Sequence, residues 1–322
     1  MKVIDFESIK QAAEGMNPAV WCDWVEDALR HKAEFICPPK PRMSQADGDY
    51  FNVMPAMYER ENTAIVKMIG RHNLKPGGVP RSVMMGDMLV YEADTGILKA
   101  VMDAEYITTL RTGAVAAHSA LLFGKKDFST IGLLGLGNIM TVCFETLLAK
   151  MSSEGNHRKL IVKLYKHHNQ EERFAERFKD AENVSFAFCD TYREVFTDSD
   201  IIISAVTKAT QNFAEDDCFK EGVTVIPVCT MGFQNCDLFF DKVFTDEIEQ
   251  IRGFKYFDKF HSLANVTDVL NGSREGRTNN QECILVYNYG IAIHDLYFGM
   301  KLMKEAQGKE IEYNFCKEKY FM

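Results

Sequence analysis

Two cations of this chain occupy positions where long charged side chains are uncommon. Lys67 lies in "AIVKMIG"; read as a strand, this puts Ile65, Lys67 and Ile69 on one face. The ammonium there either snorkels to water or is held in a pocket for a task, and on its own it reads as structural. Arg111 lies in a helix of small residues, on one face with Thr108, Thr112 and Val115, where a guanidinium without a partner is unusual. A third cation, Arg42 in "PPKPRMSQ", reads by itself as surface. A guanidinium fork can take a carboxylate in two parallel hydrogen bonds. A lysine can move a proton near neutral pH when burial beside other cations lowers its pKa.

A second kind of chemistry is written in "TIGLLGLGNIM", residues 130–140. Gly135 and Gly137 supply a tight turn and a close backbone approach to a pyrophosphate, and the helix N-terminus from Asn138 faces the negative charge. Met140 stands at the third small position of that fingerprint, which serves helix–strand packing, so a larger residue there implies a wider gap. The competing reading is a turn with a purely structural role.

The surrounding elements decide between them. From residue 125 onward strand and helix patterns alternate. "STIGLLG" is followed by a helix carrying Ile139, Cys143, Leu147 and Met151, then the strand "KLIVKLY" and the helix "NQEERFAERFKD". The strand "VSFAF", the short helix "DTYREVF", and the buried strands "DIIISAV" and "VTVIPV" continue the series. This order predicts an α/β fold, a Rossmann-type doubly wound parallel sheet, with the glycine turn between strand and helix as a cofactor site requires. The second strand ends in Lys166, His167 and His168, where an NAD site usually carries an acid. A basic cluster there suits the extra phosphate of NADP, so the cofactor expected is NAD(P)(H), leaning to NADP(H); the alternative is a solvated loop.

The first hundred residues predict a mixed, largely antiparallel α+β unit. "IDFESIKQAAE" and "NPAVWCDWVEDALRHKAEF" read as helices, the second capped by Asn17. β-like runs follow, punctuated by the turns Asp47-Gly48 and Asp94-Thr95-Gly96. The exit helix ends at Gly124, and the tail "NYGIAIHDLYFGMKLMKEAQGKE" reads as a helix with no strand after it that packs back on the first unit. The expected domains are therefore 1–122 with 290–322, for substrate binding and dimerisation, and 123–289, for the dinucleotide.

Composition bounds what remains. A chain of 322 residues, 46% hydrophobic and 26% charged, can bury its own core without staples. The nine scattered cysteines form no CxxC pair or zinc spacing, which reads as reduced thiols of a cytoplasmic protein, with no metal expected. A net charge of −9 disfavours nucleic acid as a partner, and no apolar run is long enough for a membrane span. Neither excludes a small anionic substrate.

Taken together, "GDMLVYEADTGILKAVMDAEYITTLRTGAVAAHSALLFG", "GLLGLGNI" and "GSREGRTNNQECILVYNYGIAIHD" resemble the ornithine cyclodeaminase/mu-crystallin family, from about Pro38 to Asp295. The most specific element is D-x-x-x-I-T-x-x-R-T-x-A at Asp103–Ala114. The resemblance implies a homodimer whose active site lies in a cleft between the two domains, and an activity among cyclodeaminases, alanine dehydrogenases and cyclic ketimine reductases. It puts the substrate arginine on Arg42, the active-site lysine on Lys67, a polar substrate contact on Ser82 and the signature arginine on Arg111. Cofactor contacts fall on Thr112, Gly135, Gly137, Asn138 and Ile139, and on Ala205, Val206 and Thr207 after the fourth strand. Asp295 and the Gly276-Arg277 pair match the family, while His294 replaces its usual glutamate.

One departure matters. Cyclodeaminases carry an aspartate base after the fifth strand, where this chain has Met231. A thioether cannot accept that proton, and loss of a positioned base costs about two to four orders of magnitude in rate. Cyclisation then requires Asp216, Asp217 or Asp237 to substitute. The expected activity is NAD(P)-dependent hydride transfer to or from an amino acid or its cyclic imine. Arg42 and Arg111 would clamp the carboxylate and Lys67 would relay a proton, with Lys67→Ala leaving the fold intact. The alternatives are deaminating cyclisation of a diamino acid, and ligand storage without turnover.

Overall fold

Hydrophobic alternation in the first third and buried runs in the second dictate two different sheets, and the computed structural model contains both. It describes residues 1–46, 48–73, 77, 84–228, 231–234 and 237–314. In chain order the elements begin with β1 (Lys2–Ile4), α1 (Phe6–Glu14), α2 (Ala19–Arg30), β2 (Phe35–Ile36), β3 (Arg42–Ser44), β4 (Tyr50–Tyr58), β5 (Thr63–Arg71), β6 (Met84–Glu92) and β7 (Leu98–Asp103). Then come α3 (Glu105–Phe123), β8 (Thr130–Leu134), α4 (Asn138–Ser153), β9 (Leu160–Tyr165), α5 (Gln170–Arg177), β10 (Val184–Cys189), α6 (Tyr192–Phe196), β11 (Ile201–Ser204) and β12 (Thr224–Pro227). The chain continues through β13 (Lys242–Thr245), α7 (Ile248–Ile251), β14 (Leu263–Asn265), α8 (Val266–Leu270), β15 (Ile284–Tyr287), α9 (Ala292–Glu305) and β16 (Lys309–Glu310).

Contacts divide the chain into one unit of residues 1–16, 33–108 and 292–322 and a second of residues 17–32 and 109–291. Against the boundaries expected from sequence, α2 and most of α3 group with the second unit, because α2 packs on α4 and α8.

In the first unit the sheet runs β16-β1-β7-β6-β5-β4-β2, with β3 on β4. It is antiparallel apart from the β1–β7 pair. One face alternates inward with Met54, Ala56, Ile65, Ile69, Met88, Val90, Ala100 and Met102, all buried. Helices α1 and α9 belong to the same unit, and α9 packs on β4 and β5. Gly299 lets α9 sit close, since a Cβ there would meet Met88 Cε at 2.2 Å. Two sequence expectations change. A strand, β1, precedes the first helix, and a strand does follow the tail helix: β16 pairs with β1, Lys2 opposite Glu310. Such two- and three-residue strands carry too little alternation to be read from pattern.

In the second unit eight strands, all parallel, run β10-β9-β8-β11-β12-β15-β13-β14. The chain moves outward from β8 to β10, then returns to β11 on the other side of β8. The carboxyl ends of β8 and β11 therefore flank the point where strand order reverses, which is where such sheets bind ligands. Two interactions fix the frame. Arg277 donates from Nε to the Phe123 carbonyl at 2.8 Å and from Nη2 to Thr224 Oγ1 at 2.8 Å, tying the end of α3 to β12. Asp200 accepts from the amides of Ser129 (2.8 Å) and Thr130 (2.9 Å) and pairs with Lys125 (2.8 Å) and Lys220 (2.7 Å).

Burial alone would raise the Asp200 carboxyl, but the two ammonium groups and the two amides outweigh it and hold it well below the usual carboxylate range. Its contribution is complete above the unfolded aspartate value of about 4 and is lost as pH falls through the lower folded value. Asp200→Asn is expected to lower the unfolding free energy at pH 7 and to flatten the acid limb of stability. Urea melts of both proteins at pH 7 and pH 3 measure this, and an unchanged acid limb in the variant contradicts it.

Candidate functional site

Gly135, in the turn after β8, has φ +73°, a conformation that L side chains rarely adopt. A Cβ there would also lie 2.6 Å from the carbonyl carbon of Ala205 and the amide nitrogen of Val206. Only glycine lets the turn after β8 touch the segment after β11, so two predicted cofactor segments, Gly135–Ile139 and Ala205–Thr207, are brought together. Gly137 differs: it caps α4 in an extended conformation, and a Cβ built on it meets nothing within 4 Å. The space beside it is open.

Asn138, Ile139 and Met140 form the first turn of α4, whose amides have no partner four residues back and which contains no acid. Open space, an unopposed helix N-terminus and a backbone-lined turn fit a dinucleotide pyrophosphate. Gly113 of α3 abuts the same helix start, since its Cβ would lie 2.7 Å from the Ile139 carbonyl oxygen, and this carries the Thr112 backbone to the turn. Met140 is fully buried at the start of α4.

The basic cluster after β9 is arranged differently from the sequence expectation. Lys166 Nζ donates to Asp190 Oδ1 at 2.9 Å, so its charge is directed to the neighbouring strand end. The His167 amide donates to Glu171 Oε2 at 2.9 Å, and His168 and Asn169 take positive φ to reverse the chain into α5.

Arg111 is 7% exposed and lies in α3 against the loop after β15. A Cβ on Gly290 would meet Arg111 Nη1 at 2.7 Å, so glycine is what allows the guanidinium its place. Gly290 is in turn held by Asp246, whose buried carboxylate accepts from the amides of Gly290 (2.6 Å) and Tyr289 (3.3 Å). Asp246 was not foreseen: the strand β13 that it directly follows, "KVFT", is too short to stand out.

In the first unit Lys67 is fully buried on the inner face of β5. Its Nζ donates to Asp295 Oδ1 at 2.7 Å and to Thr108 Oγ1 at 3.2 Å. Asp295, also fully buried, projects from the first turn of α9. This changes the expectation that Lys67→Ala leaves the fold intact, because the substitution strands a carboxylate in the core. Arg42 is exposed on β3, its Nε donating to Asn52 Oδ1 at 3.1 Å and its guanidinium lying 4.1 Å over the Tyr50 ring. The register places Arg42 opposite Asn52, Asn52 opposite Ile69, and Met54 opposite Lys67. Arg42 and Lys67 therefore share one face of the sheet, two strands across (about 9.5 Å) and two residues along (about 7 Å). Ser82 falls outside the described residues.

The candidate replacement bases are poorly placed. Met231 is 39% exposed after β12, so no carboxylate stands there. Asp237 is 1% exposed in an aromatic core and accepts the Tyr287 hydroxyl at 2.6 Å. Burial pushes its carboxyl up to about 6, against the opposing pull of the Tyr287 hydrogen bond and Lys255. Asp217 accepts both 2.8 and 3.0 Å bonds from Arg193 Nη2, and Asp216 lies beside it in the same acidic turn. No group of three or more His, Cys, Asp or Glu side chains fit for a metal occurs among the described residues.

A parallel sheet with a glycine turn at its reversal point, joined in one chain to a mixed sheet carrying a buried lysine, defines a Rossmann-type α/β protein with a second, mixed-sheet unit. The chain belongs to the Ornithine cyclodeaminase/mu-crystallin family, whose family model matches residues 5–310. It is 24% identical over 332 residues to N-((2S)-2-amino-2-carboxyethyl)-L-glutamate dehydrogenase of Staphylococcus aureus, covering 97% of both chains. Among solved structures it resembles an archaeal alanine dehydrogenase dimer with bound NAD, with TM-score 0.83, 21% identity and coverage of 98% of this chain and 99% of that one. It also resembles Thermococcus litoralis Δ1-pyrroline-2-carboxylate reductase in complex with NADH and L-proline, with TM-score 0.79, 19% identity and coverage of 97% and 100%. These likenesses confirm the fold class.

Removing one partner of a buried ion pair costs about 3–5 kcal/mol, whereas replacing both with apolar groups is often neutral. Lys67→Ala and Asp295→Ala are each expected to lower thermal stability sharply, and Lys67→Met with Asp295→Leu to restore most of it. Calorimetric melts of the three variants test this. A single variant as stable as the parent would show that the pair does not hold α9 to the sheet.

Proposed function

We propose that this protein is a nicotinamide-dinucleotide-dependent oxidoreductase that interconverts an amino acid and its imine, with cyclic imines in the substrate class. The carrying observation is the combination at the strand ends of the second unit: an intact glycine cradle beside β11, and an exposed Met231 where cyclising relatives need a base. The names of the similar proteins, a dehydrogenase and a reductase of amino and imino acids, support the same reading.

Gly135, Gly137, Asn138, Ile139 and the Ala205–Thr207 segment would hold the dinucleotide, with Thr112 beside them. The bound nicotinamide supplies or accepts the hydride. Arg42 and Arg111 bind the substrate carboxylate, and Gly290 and Asp246 keep the Arg111 fork in place. Lys67 holds a proton at Nζ for the imine nitrogen, and Asp295 fixes that ammonium by its 2.7 Å hydrogen bond. Fixing the donor in advance removes reorganisation from the reactive step.

The protein is further proposed to act as a homodimer through the outer face of the first sheet. Val66, Met68 and Met85, each 37–40% exposed, form an apolar stripe there with Phe51 and Leu89. Patches of this kind mark association surfaces. The six cysteines among the described residues are free thiols, five of them buried, which suits the cytoplasm. No helix among the described residues is long and apolar enough to cross a membrane.

A spectrophotometric screen of NADH and NADPH against cyclic ketimines, pyruvate plus ammonia, and ornithine tests the reaction. Stoichiometric cofactor oxidation with a ketimine or keto acid is expected. Ammonia release from ornithine at catalytic NAD would favour cyclisation instead, and tight NADPH binding with no turnover would favour a storage role. With the double Lys67→Met, Asp295→Leu variant, folded by the preceding test, reduction is expected to fall at least about a hundredfold. Light scattering should give a dimer for the parent and a monomer for Met68→Asp; a parent monomer removes the dimer proposal.

A further inference from the structure

Arg42 is exposed, yet two contacts hold its guanidinium in place. Nε donates to Asn52 Oδ1 at 3.1 Å, and the group lies 4.1 Å over the Tyr50 ring. We propose that Asn52 is a positioning residue for substrate binding: it commits the Nε edge of Arg42 and leaves the Nη1/Nη2 pair to take a carboxylate end-on, with Tyr50 as the platform beneath. This deepens the reading above and rests on it for the substrate to which that carboxylate belongs.

The backbone brings these groups together for local reasons. Pro38, Pro39 and Pro41 stiffen the approach to β3, since each fixes its own φ and restricts the residue before it. β3 is an edge strand on β4, where a proline is tolerated, and the Pro41 carbonyl accepts from the Val53 amide at 3.0 Å. That contact makes 41 and 53 a hydrogen-bonded pair, so the next pair along, Arg42 and Asn52, is a non-hydrogen-bonded one. Side chains approach most closely at such positions, with Cα atoms about 4.5 Å apart. Tyr50 and Asn52 are two residues apart on β4 and so share the face that Arg42 crosses.

A guanidinium offers a carboxylate two forks, the side pair of Nε with one Nη and the end pair Nη1/Nη2. Asn52 Oδ1 closes the first. Among the described residues no hydrogen bond or ion pair engages the second. A surface arginine that is free to turn loses rotamer freedom when it binds an anion, and one already held loses less. Asn52 is neutral, so it orients the cation without neutralising it; an acid there would pair with Arg42 in the substrate's place. The register also sets Asn52 opposite Ile69, two residues from Lys67 on the same face, so the held fork and the buried ammonium belong to one side of the sheet.

Calorimetry of the full chain with pyrrole-2-carboxylate, a planar acid that accepts no hydride, separates this role from the reaction. The parent is expected to bind it, and Asn52→Leu to weaken it at least about tenfold while NADH affinity changes less than about threefold. Asn52→Ala, which removes the acceptor without adding bulk, should give the same losses. In turnover of a cyclic ketimine carboxylate, Asn52→Leu should raise KM at least about tenfold and change kcat less than about threefold. Over Arg42→Lys, which has no guanidinium to orient, Asn52→Leu should add less than about twofold. Parent-like affinity of Asn52→Leu and Asn52→Ala, or a full effect that persists over Arg42→Lys, overturns the positioning role, while ketimine turnover keeps the oxidoreductase reading. Carboxylate binding that depends on Asn52, with no imine turned over, supports the proposal and removes that reading. A parent that binds no pyrrole-2-carboxylate overturns the proposal.

Discussion

The first unit depends on one buried ion pair. Lys67 on β5 and Asp295 on α9 are 228 residues apart in the chain, and both are fully removed from water. An ammonium or carboxylate alone in that core would be costly enough to unfold the region, so each is tolerable only because the other is there. The pair therefore works as a registration device. It fixes which turn of the last helix lies over which row of the sheet, and it does so at the residue that the proposed chemistry needs held still. A hydrophobic substitute would pack as well but would hold no proton. Retaining a charge at that position is what a functional site would demand, and the surrounding apolar rows (Met54, Met88, Met102) make the demand expensive.

The second unit is fixed by the opposite kind of device, the absence of side chains. Gly135 lets two strand-end loops touch, Gly113 lets α3 reach the start of α4, and Gly290 leaves room for the Arg111 guanidinium. In each case a methyl group would have to occupy space already filled to within 2.7 Å. Gly137 alone among these positions leaves a space with nothing in it. Three glycines bring protein to protein, and one leaves open space, as the proposed dinucleotide site requires.

Much of this was legible in the sequence, and the reason differs by feature. The parallel series β8 to β12 announces itself because fully buried strands are continuous apolar runs, and the helices between them have their own period. The glycine turn is legible because few backbone conformations can do its task. The strands β1, β14 and β16 were missed because two or three residues carry no period at all, and β13 and β15, as short as β11 and β12, were missed because they fall outside the regular strand–helix alternation that made those two legible. Lys67 could be singled out by its isoleucine neighbours, but its partner could not: Asp295 stands in "AIHDLYFG", where nothing local says that it faces a lysine. For the Lys166 cluster, composition shows a basic loop but not that Asp190, just after the next strand, pairs with the lysine.

That last case shows how site residues are assigned on a doubly wound sheet. Strand ends that neighbour each other in space are often far apart in sequence, and a charge at one of them is read by whichever group the adjacent strand end supplies. At β9 and β10 that neighbour is an acid, and the exposed lysine pairs with it. At β8 and β11 it is bare backbone, and the turn remains open to a ligand. Around Met231 the same logic applies in the negative. The exposed thioether cannot take a proton, and the buried carboxylate six residues on, Asp237, already accepts a tyrosine hydroxyl. A base is therefore absent from the exposed position, and the nearest carboxylate in sequence is buried and already takes a hydrogen bond at one of its two oxygens.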